Sequence, residues 1–327
     1  MMSVVDTFAE LGKRLQCFGN DQYTLQIIAD ACAANKWFTP TDIFRAVEAI
    51  REQFLNRVKL QGWLSHYNIE QVEPKRVAII MAGNIPLVGF FDLMCVLMCG
   101  HTALVKPSSK DRVLTEYIIG ELLAISPALP IILCDQAEDC DMVIATGGDS
   151  AAAYFQSRYA TTPSLIRGSR HSLAVLGGDE SDEDLQALAR DIFTYSGLGC
   201  RNVSLVMLPR GAELRLPEPD SLNEMYRGGY LSSRALMVMT SQPHINLGYA
   251  LAVERQGFSD NISCINYCYY DSLEQVEQWL AENDEKIQCI VSRKVAHPRR
   301  VDFGRAQYPT LFDYADGVDV MKFLTSN

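Results

Sequence analysis

The chain has 327 residues, 48% of them hydrophobic and 21% charged, with a net charge of −11 at neutral pH. That length suits two domains better than one core, and the acidic balance argues against nucleic acid as the main partner, since a phosphate binder needs a basic face. No apolar run reaches membrane-spanning length, because even IPLVGFFDLMCVLMCG (85–100) carries Asp92, so no membrane span is expected.

The first seventy residues read as helices. Thr39 is an N-cap ahead of Pro40, and Ile43, Val47, Ile50, Phe54 and Val58 mark one helical face. The opening MMSVVDTFAELGKR lacks a basic segment followed by a long apolar one, so no secretory signal is expected. From residue 76 short apolar strands alternate with helices. Strands are predicted over 76–82, 102–106, 130–133, 141–146, 164–167 and 171–176, with helices over roughly 87–99, 111–126 and 149–159. Such alternation predicts an α/β protein with a parallel, doubly wound sheet, which takes its ligands at the carboxyl ends of the strands.

Ser181 and Asp184 have capping-box spacing, and Leu185, Leu188, Ala189, Ile192 and Phe193 trace the helix that leads to Cys200. A second series follows, with strands at 203–208, 264–270 and 288–292, a helix over about 272–282, and a polar loop at 214–224. The expected organisation is N-terminal helices and a nucleotide-binding domain over 1–180, and a domain carrying the cysteine over 181–300. A tail over 301–327 returns to the first domain or meets an oligomer interface.

The ten cysteines form no CxxC and, with five scattered histidines, no zinc spacing. A reducing cytoplasm without a metal site is the expectation. Four turns carry chemistry. Asn84, in AGNIP (82–86), either offers its amide to an oxyanion or caps the next helix. Lys106, Ser108, Ser109 and Lys110, in VKPSSK (105–110), supply cations and hydroxyls for a ribose or phosphate, or are solvated surface groups. Thr146, Gly147 and Gly148, in ATGGDS (145–150), outline a pyrophosphate cradle at a helix start, although no GxGxxG is present. Cys200 follows two glycines and precedes an apolar strand, a place for a reachable thiol rather than a packed one. Phe90, Phe91, Met94 and Met98 read as plain core or as an acyl tunnel.

In their order these motifs resemble the aldehyde dehydrogenase superfamily, and within it the bacterial fatty acyl-CoA reductases that supply aldehyde for bioluminescence. The residues that carry the resemblance are Asn84-Ile85-Pro86, Lys106-Pro107-Ser108, Thr146-Gly147-Gly148, Leu176-Gly177-Gly178 and Gly197-Leu198-Gly199-Cys200, with the tail FGRAQYPTLFDYADGVDVMKFL (303–324). It implies an aldehyde-dehydrogenase-like fold of two such sheets and a Cys200 nucleophile that takes the acyl group from an acyl-CoA or acyl-carrier thioester. Asn84 and the Cys200 N–H would hold the oxyanion. NADPH, or NADH, would lie on Lys106, Ser108, Ser109, Thr146, Gly147, Gly148 and Gly177. A homodimer or a partner subunit is also implied.

Two departures from the family pattern matter. Val175 stands where hydrolytic relatives carry a glutamate base two residues before the diglycine, which points away from acid formation. Ser109 replaces an acidic residue that holds the ribose hydroxyls in NAD-preferring members, which points to NADPH. A glutamate for the nicotinamide ribose has no clear counterpart. Hydrolytic aldehyde oxidation, and a non-catalytic homologue that binds an acyl carrier or another subunit, stay open at this stage.

Overall fold

A computed structural model describes residues 2–326. The chain divides into two units: one runs to Ser169 and resumes at Thr310, the other is Arg170–Pro309. The division falls after Ser169 rather than near 180, because the strand at 171–175 pairs with strands of the second unit.

Unit 1 opens with four helices: α1 (Val4–Arg14), α2 (Gln22–Ala34), α3 (Pro40–Phe54) and α4 (Arg57–Leu64). The Thr39 hydroxyl accepts the Asp42 N–H at 3.1 Å and starts α3 where the sequence placed it. Val58 falls outside that helix, in α4, and is 76% exposed. The sheet follows: β1 (Arg76–Ile80), α5 (Phe90–Met98), β2 (Thr102–Lys106), α6 (Arg112–Ile125), β3 (Ile131–Leu133), β4 (Met142–Thr146), α7 (Asp149–Arg158) and β5 (Ser164–Arg167). Its strands are all parallel in the order β3-β2-β1-β4-β5. The order reverses between β1 and β4, so the crevice for a ligand lies at their carboxyl ends.

Phe90, Met94 and Met98 are buried in the core of this unit with Trp63 and Phe8, and Phe91 packs against them. These four side chains belong to that core. The tail closes the same core through α11 (Val320–Ser326), whose Val320, Met321 and Leu324 are buried there. The buried His101 ring reaches the Leu324 carbonyl at 3.0 Å.

Unit 2 contains β6 (His171–Val175), α8 (Asp182–Phe193), β7 (Val203–Pro209), α9 (Glu224–Met239), β8 (Ile245–Asn246), β9 (Leu251–Glu254), β10 (Cys264–Tyr270), α10 (Leu273–Glu282), β11 (Ile287–Ser292) and β12 (Arg300–Val301). The strand order is β12-β11-β6-β7-β10-β9-β8, parallel except for the antiparallel β8–β9 edge. Ser181 and Asp184 do make the capping box that begins α8.

Candidate active site

Cys200 lies in the turn between α8 and β7, and its side chain is exposed. Most other thiols are packed: burial pushes Cys99 up to about 12 and Cys268 up to about 11, and raises Cys95 well above its ordinary value. The backbone reaches Cys200 through an unusual stretch. Tyr195 and Ser196 adopt left-handed conformations (φ 54° and 56°), and Gly197 follows at φ 74°. Two such residues with side chains cost about 1–2 kcal/mol each, and they persist only where the surroundings hold them.

Buried Asn202 does the holding. Its side-chain amide donates to the carbonyls of Asp191, Ile192 and Thr194 at 3.2, 3.0 and 2.9 Å, capping the end of α8. Its Oδ1 accepts the Gly199 N–H at 2.8 Å. From β6, the Ser172 hydroxyl donates to the Cys200 carbonyl at 2.9 Å.

The residues expected in unit 1 gather at one edge of its sheet. The loop after β1 carries Asn84 exposed. Asn84 does not cap the next helix, because α5 begins six residues later with Gly89 as its N-cap. The loop is tied down on both sides of Asn84: Asn35 Nδ2 donates to the Gly83 carbonyl at 3.4 Å, and the Leu87 N–H donates to Asp111 Oδ2 at 2.8 Å. Gly83 admits no side chain, since a Cβ there would stand 2.5 Å from Ser108 Oγ. Lys106 ends β2 half-buried, Ser108 accepts the Lys110 N–H at 3.3 Å, and Ser109 is exposed.

Thr146 ends β4, and Gly148 is the N-cap of α7, where no side chain caps the helix. A Cβ on Gly148 would meet nothing nearer than Ser169 Oγ at 3.9 Å, which leaves room beside the first turn of α7, where the Asp149 carboxylate accepts the Ser169 N–H at 2.7 Å. The Gly147 N–H, in contrast, is already given to the Arg167 carbonyl at 3.1 Å. A lysine, two serine hydroxyls and a helix N-terminus at the switch point fit the ribose and pyrophosphate of a dinucleotide.

Gly177 is a correction. Its N–H and that of Gly178 are taken by the Glu180 carboxylate at 2.6 and 3.0 Å, and Lys294 Cε lies 1.9 Å from where a Gly177 Cβ would be. The diglycine also follows the carboxyl end of β6, whereas Cys200 is bonded to Ser172 near the amino end. Five residues of strand separate them by about 16 Å. Val175 is fully buried with Leu173, Leu205 and Met207. It is a core residue and carries no information about water activation.

Sequence reasoning missed Ser172, Asn202, Asp111 and the buried pair Asp92–Arg167. Arg167 donates to both Asp92 oxygens, at 2.7 and 3.0 Å. A lone acid inside the apolar 85–100 run was the available signal, since a buried charge demands a partner. Burial pushes Asp111 up to about 8 against the pull of the Leu87 N–H, and Asp191 up to about 7 against the N–H groups of Gly304 and Ala306. Between pH about 4 and those values each carboxyl holds a proton in the fold that the unfolded chain has released. Their contribution to stability is therefore complete below pH about 4, falls as pH rises toward 8, and is flat beyond. Asp111→Asn keeps an acceptor for Leu87 and cannot ionise, so the drop in melting temperature between pH 5 and pH 8 should shrink. An unchanged drop would refute the assignment.

A family model described as Acyl-CoA reductase (LuxC) matches residues 33–221, more than half of the chain and including Cys200. The chain belongs to this family. A search of curated proteins gives no match. Among solved structures, aldehyde dehydrogenase 21 from Physcomitrella patens, in complex with the product succinate, is 12% identical with a TM-score of 0.68 over 99% of this chain and 83% of that one. The GapN glyceraldehyde-3-phosphate dehydrogenase of Methanocaldococcus jannaschii, complexed with NADP, is 13% identical with a TM-score of 0.63, covering 88% and 80%. An aldehyde dehydrogenase from Bacillus cereus, complexed with NAD+, is 14% identical with a TM-score of 0.57, covering 89% and 72%. At these identities the likeness establishes the aldehyde dehydrogenase fold. Among the described residues no helix is long and apolar enough to cross a membrane, and no group of metal-binding side chains occurs.

Proposed function

We propose that this member of the acyl-CoA reductase (LuxC) family reduces an acyl thioester, carried on coenzyme A or an acyl carrier, to an aldehyde through an acyl group on Cys200. The observation that carries the reading is an exposed cysteine on a turn whose main chain is pinned by buried side chains, within the segment that the family model matches. The Cys200 thiolate attacks the thioester carbonyl, and the C–S bond to the carrier breaks to release its thiolate, which takes a proton from solvent. The Cys200 N–H faces the charge that develops on the carbonyl oxygen, and Asn84 keeps the oxyanion-donor role that the resemblance implies. A reduced nicotinamide, when bound, supplies the hydride. The tetrahedral centre on Cys200 then expels the thiolate, which leaves aldehyde and free enzyme.

The NADP and NAD+ complexes of two fold relatives support a nicotinamide cofactor. Lys106, Ser108, Ser109, Thr146 and Gly148 are the residues of this chain that would hold it, with Gly147 backing the turn through its spacing rather than its N–H. The stretch 106–110 contains no acid, and the next one, Asp111, is buried and engaged with Leu87. Residues 106–110 therefore set no carboxylate against a 2′-phosphate, while Lys110 adds attraction. Incubation of acyl-CoA with NADPH should oxidise the cofactor and release one thiol per turnover, with kcat/KM for NADPH at least equal to that for NADH. A strong NADH preference would overturn the cofactor assignment, and thiol release without cofactor oxidation would overturn the reductase.

A further inference from the structure

Ser172 is fully buried on β6, and both neighbouring strands slip register beside it. On β7 the pairing jumps from Ser172↔Val203 to Leu173↔Leu205, so Ser204 is the extra residue. On β11 it passes from His171↔Ile287 to Leu173↔Ile290, so an extra residue falls within Gln288–Cys289. Bulges of this kind re-aim groups that regular pairing would point elsewhere. Here they bring the Cys289 N–H to Ser172 Oγ at 3.1 Å, and Ser172 Oγ–H to the Cys200 carbonyl at 2.9 Å.

The consequence lies in the two peptide planes that meet at Cys200. The plane before it is held by the Asn202 main-chain N–H, which donates to the Gly199 carbonyl at 3.0 Å. The plane after it is held by Ser172. Two fixed planes sharing one Cα define both backbone torsions of residue 200, and with them the direction of its Cα–Cβ bond and of its own N–H. We infer that Ser172 is a positioning residue for the reaction at Cys200: a buried hydroxyl, locked by Cys289, that aims the nucleophile through its carbonyl. The inference rests on the reading of Cys200 as the acyl acceptor and deepens it.

A matched control exists in the same sheet. Ser292 is also fully buried, and its hydroxyl donates to the Val175 carbonyl at 2.8 Å, near the opposite end of β6 from Cys200. Ser172→Ala and Ser292→Ala each remove one buried serine-to-carbonyl bond and should lower the melting temperature alike. Only Ser172→Ala should slow acyl-enzyme formation at saturating acyl-CoA, by about 100-fold, followed by intact mass, while iodoacetamide alkylation of Cys200 stays within about threefold. Only Ser172→Ala should also raise amide hydrogen exchange across 196–203, by about tenfold. Equal acylation and exchange in the two variants would overturn the inference. Wild-type protein that is alkylated at Cys200 but never acylated would overturn the proposed function instead, and the exchange comparison would still decide whether Ser172 holds the turn.

Discussion

Cys200→Ser is expected to lose acyl-CoA reduction by at least about 1,000-fold while the protein stays folded. A thiol near neutral pH already presents a few per cent of its anion, whereas a serine hydroxyl needs a strong partner base to attack at all. Among the side chains bonded to this turn are the Ser172 hydroxyl and the Asn202 amide, neither of them a base. The nearby carboxyl group of Asp191 is buried and spends its oxygens on the N–H groups of Gly304 and Ala306, at 2.6 and 3.0 Å. The substituted side chain is exposed, so the melting temperature should stay within about 2 °C of wild type. Cofactor oxidation and thiol release, measured together against the exposed Cys17→Ser control, provide the check. Turnover within tenfold of wild type in Cys200→Ser would remove the cysteine mechanism.

The largest loss of stability is expected at Arg167. Its guanidinium and the Asp92 carboxylate are 5% and 6% exposed and form a two-pronged pair in unit 1. Arg167→Met leaves a carboxylate buried without its cation, a change that costs about 3–5 kcal/mol. Replacing both partners with apolar side chains avoids that cost, so Asp92→Leu combined with Arg167→Met should be more stable than Arg167→Met alone. Scanning calorimetry of wild type and the two variants tests this, and a double variant no more stable than the single one would refute it. Arg167 also donates to Thr146 Oγ1 at 3.4 Å and receives the Gly147 N–H on its carbonyl. The single variant should therefore loosen the Thr146–Gly148 turn and weaken NADPH binding.

The strands were legible because a parallel strand buried on both faces reads as an uninterrupted apolar run. Thr102–Lys106 and Cys264–Tyr270 fall where those runs begin and end. Helix α9 was not legible: it follows the polar stretch 214–224, contains Gly228 and Gly229, and leaves Leu231, Leu236, Val238 and Met239 exposed, so no apolar stripe announced it. Motifs at strand ends put Asn84, Lys106 and Thr146 at the carboxyl ends of β1, β2 and β4, which are neighbours in the sheet of unit 1. The same reasoning failed for Leu176-Gly177-Gly178, because a diglycine after a strand looks identical whichever end of its neighbour the nucleophile occupies. Ser172 and Asn202 were silent for a different reason. Their roles depend on bulges and on a helix end that local sequence does not encode, and a buried serine has no pattern of its own.

The interrupted course of unit 1 has a bearing on how the protein is made. Its core needs Val320, Met321 and Leu324 against Trp63, Met94 and Cys99, and His101 needs the Leu324 carbonyl. A ribosome therefore releases the continuous stretch Arg170–Pro309 before the earlier-made half can finish its interior. The portion made first must wait, partly open, until residues 320–324 emerge. Deleting residues 320–326 should thus injure the segment synthesised first, while the one completed in between matures undisturbed.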